Sequence, residues 1–309
     1  LVKGSPASGE RAPSAVIVFA DEVRDALEAG APVVALETTL VAHGFPPGEG
    51  VAVAAESERR VRAAGAVPAT IGLLDGQIRV GITEDELDRF RPDARKCGPR
   101  DIAVAIAQRA TGATTVGGTL AVCRAAGIRF MGTGGIGGVH RDPRDVSPDL
   151  EQLARTSCVV VSSGAKSLLD VEATMERLET LAVPVLGYRT DDVPLFYSGR
   201  GGPRASGRVE SAEEAARVAR AQWQLGAHGL LLAQPPPDDL DDVEPLIAEA
   251  LALAAAQGVA GQAVTPFVLS HLHRESGGRT LRVNAALVAA NAGLAAEVAV
   301  AYGRLGGRE

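Results

Sequence analysis

From residue 15 onward the chain alternates short apolar, β-branched runs with Ala- and Leu-rich stretches of helical length, joined by brief connections. No other feature constrains the fold as much. Parallel strands need crossover helices, and those helices cover both faces of the sheet. PVVALETTL (32–40), IRFMG (128–132), CVVVSSG (158–164), VPVLGY (183–188) and GLLLAQ (229–234) read as strands buried on both faces. Helices are expected over 48–64, 99–110, 211–226, 241–257, 266–275 and from about 281, with one more between 164 and 183. VPATIGLLDGQIRVGI (67–82) reads as a hairpin about Asp75-Gly76, and Thr83 with Glu86 as a capping box. Ser147-Pro148 opens a further helix. The expected fold is α/β: a three-layer α/β/α sandwich with a mostly parallel central sheet and a small hairpin appendage (67–95). It forms a single domain over 15–309, and the polar residues 1–14 read as a disordered tail.

The 309 residues are enough for a large core. With 31 basic against 38 acidic residues the net charge is −7, which argues against a nucleic-acid binder. No uninterrupted apolar run reaches the roughly 18 residues of a membrane span. Cys97, Cys123 and Cys158 are too few and scattered for a disulfide framework or a zinc cluster. A cytoplasmic protein with a small-molecule partner is expected, with no nucleic acid and no membrane. Rare residue types say more. Only three of the 31 basic residues are Lys (Lys3, Lys96, Lys166), and the chain has two Asn, Asn284 and Asn291. Arg cannot act as a neutral amine and Lys can, so a Lys kept in an Arg-rich chain is a candidate for amine chemistry.

In open α/β sheets, sites gather at the C-terminal ends of strands. Lys166, in SSGAKSLLD, follows such an end and is a candidate nucleophile toward a carbonyl, or a phosphate-binding Lys. Lys96 is a second amine, a phosphate clamp, or a charge acting on Lys166. Glu37 closes an apolar strand and is either a general acid/base or half of an ion pair. GTGGIGGVHR (132–141) contains the spacing of a dinucleotide fingerprint. It lacks the helix that should open within the glycines, so an anion cradle and a simple turn stay open beside it. DVSPD (145–149) offers a helix start suited to a phosphate, or two carboxylates, Asp145 and Asp149, for a hard divalent ion, or plain capping. Asn284 and Asn291, seven residues apart, share one helix face directed at packing or a pocket. His43 and His140 lie near the candidate site, and the other three histidines read as superficial.

Taken in order, ALETTLVAHGFP, GAVPATIGLLDGQIRVG, KCGPRD, TTVGGT, MGTGGIGGVHR, DVSPDL, GAKSLLD, VPVLGYRT and VNAALVAANA resemble the pseudouridine-5'-phosphate glycosidases from about residue 15 to the C-terminus. The departures are Cys97-Gly98-Pro99 after Lys96 and a short HRDPRD segment. The resemblance implies an α/β/α homotrimer that reversibly cleaves pseudouridine 5'-phosphate to uracil and ribose 5-phosphate, with a divalent ion, usually Mn2+. It implies Glu37 as acid, Lys166 as the covalent Lys, Lys96 as second active-site Lys and Asp145 at the metal. It also implies substrate contacts at Val116, Ser147, Pro148, Asp149 and Asn284, and Thr133, Gly134 and His140 are expected beside them. The implied chemistry is ring opening with Glu37 protonating the ring oxygen, then an imine between Lys166 and C1′. The competing expectation is a nucleotide-binding oxidoreductase or regulator that uses the glycine loop.

Overall fold

The computed structural model describes residues 16–141, 145–240 and 242–306. The expected tail and part of HRDPRD lie outside them. In chain order the strands are β1 Ile17–Phe19, β2 Val33–Glu37, β3 Val67–Leu74, β4 Gln77–Val80, β5 Arg95–Cys97, β6 Gly112–Thr114, β7 Phe130–Gly132, β8 Val139–His140, β9 Val159–Ser162, β10 Leu169–Asp170, β11 Val185–Tyr188, β12 Gly207–Val209 and β13 Leu230–Ala233. The helices are α1 Asp21–Glu28, α2 Glu49–Ala63, α3 Glu84–Leu87, α4 Ile102–Ala107, α5 Val116–Ala126, α6 Pro148–Leu153, α7 Val171–Thr180, α8 Ala212–Gln224, α9 Glu244–Ala256, α10 Val264–Glu275 and α11 Arg279–Arg304.

Among the described residues, eleven strands form one sheet along β1-β4-β3-β2-β7-β9-β13-β11-β12, with β6 joining β3 to β5. From β3 to β12 every pairing on this path is parallel. Alternate residues feed two cores. Ala35, Met131, Val160 and Leu231 face one, and Val34, Phe130, Val161 and Leu232 face the other. α5, α6 and α7 cover the first face through Leu120, Leu150 and Leu178, and α8 and α11 cover the second through Ala215, Ala219, Ala295 and Ala299. This two-sided burial is why the strands read as continuous apolar runs.

The hairpin forms as read, with Asp75 and Gly76 at φ 53° and 78°. Its turn needs positive φ at both residues. It is not set apart as an appendage, however. β3 is buried along nearly its whole length and pairs with β2 inside the sheet, and β4 extends the sheet to β1. The capping box of Thr83 and Glu86 is present.

α11 is the one helix among the described residues that is long and apolar enough, by length and composition, to cross a membrane. Asn284, Asn291 and Glu297 interrupt its apolar run, which is why run length alone passes over it. Within this fold it is a core helix, 67% buried over its most apolar stretch. A Cβ on Gly132 would lie 2.7 Å from the Ala292 Cα, so the end of β7 and α11 can meet only through small residues. β2 neighbours β3 on one side and β7 on the other. The chain leaves β2 and β7 in opposite directions across the sheet. The crevice beyond their C-terminal ends is therefore the topological switch point, where such sheets bind ligands.

Candidate active site

Glu37 ends β2 at that crevice and is buried. Thr133 donates a hydrogen bond to its Oε1 at 2.5 Å. Burial pushes the Glu37 carboxyl up to about 7, against the opposing pull of the Lys166 charge and the Thr133 hydroxyl. It is thus poised to hold or give a proton near neutral pH. The two residues after it are anchored. Thr38 Oγ1 donates to the Ile71 carbonyl at 2.9 Å and accepts from the Thr114 amide at 2.9 Å, and Thr39 Oγ1 donates to the Ala113 carbonyl at 3.3 Å. β3 and β6 therefore hold the strand end that carries the carboxyl.

Beyond β7 and β9 the parallel pairing continues into the loops. The Thr133 amide donates to Val161, Ser163 to Gly134, Ile136 to Gly164 and Lys166 to Ile136, at 2.8–3.1 Å. Lys166 is presented by this extended ladder, and β10 separates it from α7. Asn291 staples the two loops from α11. Its Nδ2 donates to the Thr133 carbonyl at 2.8 Å, the Gly134 carbonyl at 3.3 Å and Ser163 Oγ at 3.2 Å. The glycines of 132–138 all keep φ outside the left-handed region. They are needed for close approach: a Cβ on Gly135 would lie 2.6 Å from the Phe196 ring, and one on Gly137 2.3 Å from Ser147 Oγ. No helix opens among them. The chain runs on to β8, so the dinucleotide fingerprint lacks its required context.

Val116 is the first residue of α5, whose cap Thr115 accepts from the Gly118 amide at 3.2 Å. Ser147 caps α6, accepting from the Asp149 amide at 3.2 Å, and Pro148 follows it. The buried Asp149 carboxylate clasps both neighbourhoods together, accepting from the Gly117 amide and the Gly137 amide, each at 2.8 Å. Each of its oxygens thus serves one backbone donor, and the carboxylate holds the two loops together. Asp145 is half-buried, with Oδ2 3.7 Å from His140 Nε2. Among the described residues no three His, Cys, Asp or Glu form a metal-holding group.

The structure brings Glu37, Lys96, Lys166, Gly134, Asn284 and His43 to one narrow pocket. Thr133 stands behind Glu37, and Val116, His140, Asp145 and Ser147–Asp149 lie outside this lining. Lys96 is carried on β5, and burial together with the Lys166 charge pushes its amine down from the ordinary Lys range. The free interior is about 30 Å³, far below the ~300 Å³ of a small-ligand site, so the cover must move to admit one.

That cover is Phe196 with Thr265, Pro266 and Leu269 at the start of α10. No local sequence signal marks it. Phe196 sits at φ 65°, an unusual backbone for an aromatic residue. Its amide donates to the Ser163 carbonyl at 3.0 Å, which pins it to the Lys166 loop. α10 also corrects the reading of the histidines: His271 is buried and His273 half-buried, so only His228 of those three is superficial. An isolated His on a helix carries no sign of which face packs inward.

A family model described as "Indigoidine synthase A like protein" matches residues 22–301. A protein from Nocardioides sp. named pseudouridine-5'-phosphate glycosidase is 46% identical over 95% of this chain and 99% of its own length. One of the same name from Salinispora tropica is 50% identical over 91% of this chain and 90% of its own. The crystal structure of the prealnumycin C-glycosynthase AlnA in complex with ribulose 5-phosphate superposes with a TM-score of 0.86 at 40% identity, covering 95% of this chain and 99% of that one. An indigoidine synthase A-like protein from Thermotoga maritima gives 0.85 at 37% identity over 94% and 99%. The chain belongs to the indigoidine synthase A-like family, the family of the pseudouridine-5'-phosphate glycosidases.

Proposed function

We propose that this protein reversibly cleaves the C–C glycosidic bond of pseudouridine 5'-phosphate to uracil and ribose 5-phosphate through ring opening and a Lys166 imine. The observation that carries the reading is the meeting of Glu37, raised to about 7, with Lys96 and Lys166 in one pocket. Pseudouridine joins its base through carbon. Protonating a leaving oxygen, the usual route of glycosidases, is not open to it.

The neutral Glu37 protonates the ring oxygen while the C1′–O4′ bond breaks, with N1 of uracil supplying the electron pair and releasing its proton. The neutral amine of Lys166 adds to C1′, and the electrons and a proton return to N1. Protonation at C5 then lets the C1′–C5 bond break. Its electron pair restores the uracil C5=C6 bond, and the Lys166 nitrogen lone pair forms the imine at C1′. Water hydrolyses the imine and frees ribose 5-phosphate. The electron count sets the imine at the moment of C–C cleavage rather than before it.

The phosphate end of this reading is the meeting of α5 and α6, at Val116 and Ser147–Asp149, with Lys96 adding positive charge and the His140 ring beside Asp145. The dipoles of the two helix starts favour an anion there, while the Gly117, Gly118 and Asp149 amides already serve partners within the protein. Mn2+ is the ion this reading calls for. One part-exposed carboxylate, Asp145, fits an ion that keeps waters and takes its remaining ligands from a phosphate. When bound there it would add positive charge beside the phosphate. The accompanying expectation is a cytoplasmic homotrimer, checked for assembly by sedimentation velocity.

Borohydride added to the protein with ribose 5-phosphate should leave a reduced adduct visible in the intact mass. Lys166→Arg keeps the charge and loses the amine. It should form no adduct and lose turnover by about 10⁴-fold or more. A Lys166→Arg protein that turned over near the normal rate would sink the imine mechanism.

A further inference from the structure

His43 has no part in the chemistry above, yet it lines the same pocket. It lies in the π-helical turn Leu40–Gly44, which begins three residues after Glu37. The backbone carbonyls of Pro92 and Ala94 lie beside its ring. Its Nδ1 is buried and has no hydrogen-bond partner. With the proton on Nε2, toward those carbonyls, Nδ1 is a bare lone pair. Burial and the nearby Lys96 charge both push this imidazole toward its neutral form, which carries one acceptor nitrogen.

A buried acceptor without a donor calls for an N–H or O–H from a ligand. The surroundings narrow the choice. The residues of the proposed phosphate end, Val116 and Ser147–Asp149, are absent from this pocket's lining, whereas Leu40, Phe196, Pro266 and Leu269 line it. Apolar walls beside two buried, unpartnered polar atoms, His43 Nδ1 and Asn284 Oδ1, suit a flat heterocycle that bears ring N–H groups. On the reading of the substrate given above, that heterocycle is uracil. In the C-linked nucleotide N1–H gives up its proton during ring opening, so N3–H is the donor free throughout the reaction.

We infer that His43 is the base-recognition residue of this pocket, its Nδ1 accepting a hydrogen bond from a ring N–H of the uracil moiety. The residue positions the base for protonation at C5 and forms no covalent bond.

The test pairs an N-methylated substrate with His43 variants. Wild-type protein is assayed with pseudouridine 5'-phosphate and with its N3-methyl derivative, which leaves the N1 proton needed for ring opening in place. The N3-methyl derivative should lose roughly tenfold or more in kcat/KM, since a site built for an N–H rejects a partner lacking it. His43→Ala should lose a similar factor on the parent nucleotide and no longer discriminate against that derivative. His43→Phe keeps a ring of similar shape without the lone pair. It should raise KM for uracil in the synthetic direction while the borohydride-trapped ribose 5-phosphate adduct forms at the wild-type level. Thermal melting of both variants separates lost recognition from lost folding. A His43→Ala protein that is folded yet keeps the wild-type discrimination would overturn the assignment, as would a His43→Phe protein whose uracil KM is unchanged. Failure of wild-type protein to form the ribose 5-phosphate adduct would instead overturn the reaction itself.

Discussion

The floor and the cover of the pocket are built by opposite means. The floor is a set of strand-end loops tied by named hydrogen bonds: Asp149 to Gly117 and Gly137, Asn291 to Thr133, Gly134 and Ser163, and Thr133 to Glu37. The α10 part of the cover reaches the pocket through Thr265, Pro266 and Leu269, and its two inward histidines, His271 and His273, each leave Nε2 without a hydrogen bond. Directional bonds hold reacting groups to within fractions of an ångström, as proton transfer requires. Apolar contact is non-directional and can part and re-form, which suits a surface that must open above a pocket of about 30 Å³.

The two regions also respond to pH with opposite signs. Glu37 in the floor sits at about 7 against an ordinary 4.5, so the native state holds its proton between those values. Its contribution to stability is full below 4.5 and is lost as pH rises through 7, by up to about 3 kcal/mol. His273 on α10 is pushed by burial down to about 4 from 6.5, so the native state resists the proton. Its contribution is full above 6.5 and is lost as pH falls through 4.

The largest expected effect tests the floor's chemistry. Glu37→Gln should lower kcat by about 10²–10⁴-fold, the usual loss of a general acid. The same variant should gain stability relative to wild type between pH 4.5 and 8, read from urea midpoints. A variant with near-normal turnover, or with an unchanged pH–stability curve, would remove Glu37 from the role of buried acid.

Next in size is the staple. Asn291→Ala strips the buried Thr133 and Gly134 carbonyls and the Ser163 hydroxyl of a donor, at a cost of about 2–4 kcal/mol. Hydrogen exchange should show the added opening in residues 133–136 and 163–166, with α10 unchanged. An opening spread evenly over both regions would erase the distinction between floor and cover.

The smallest effect belongs to the cover. Between pH 6.5 and 4 the wild type should lose roughly 1 kcal/mol through His273, discounted for the ring's partial exposure. His273→Phe should flatten that limb and leave the Glu37 limb in place. Identical acid limbs in the two proteins would show that the ring titrates freely in the native state.

The features legible in the chain share a short reach. The turn at Asp75-Gly76, the Thr83–Glu86 capping box and the Ser147 cap each depend on residues within one turn of each other. β2 and β9 declared themselves by apolar runs that only a sheet covered on both faces needs. The three-residue strands β6 and β12 are too short to show a period. Asn291 was flagged by its rarity, but its three partners lie 128–158 residues away. No spacing rule reaches that far.

From the sequence alone come the alternation that makes a parallel sheet, the strand end carrying Glu37, and the rare amines at 96 and 166, because composition and local periodicity act over a few residues. Tertiary structure alone decides that β3 lies inside the sheet, that Asp149 clasps two backbone amides, and that α10 closes the pocket. Each of those outcomes depends on which distant segments become neighbours. Strand order and the competition for buried hydrogen-bond partners settle that only when the whole chain is packed.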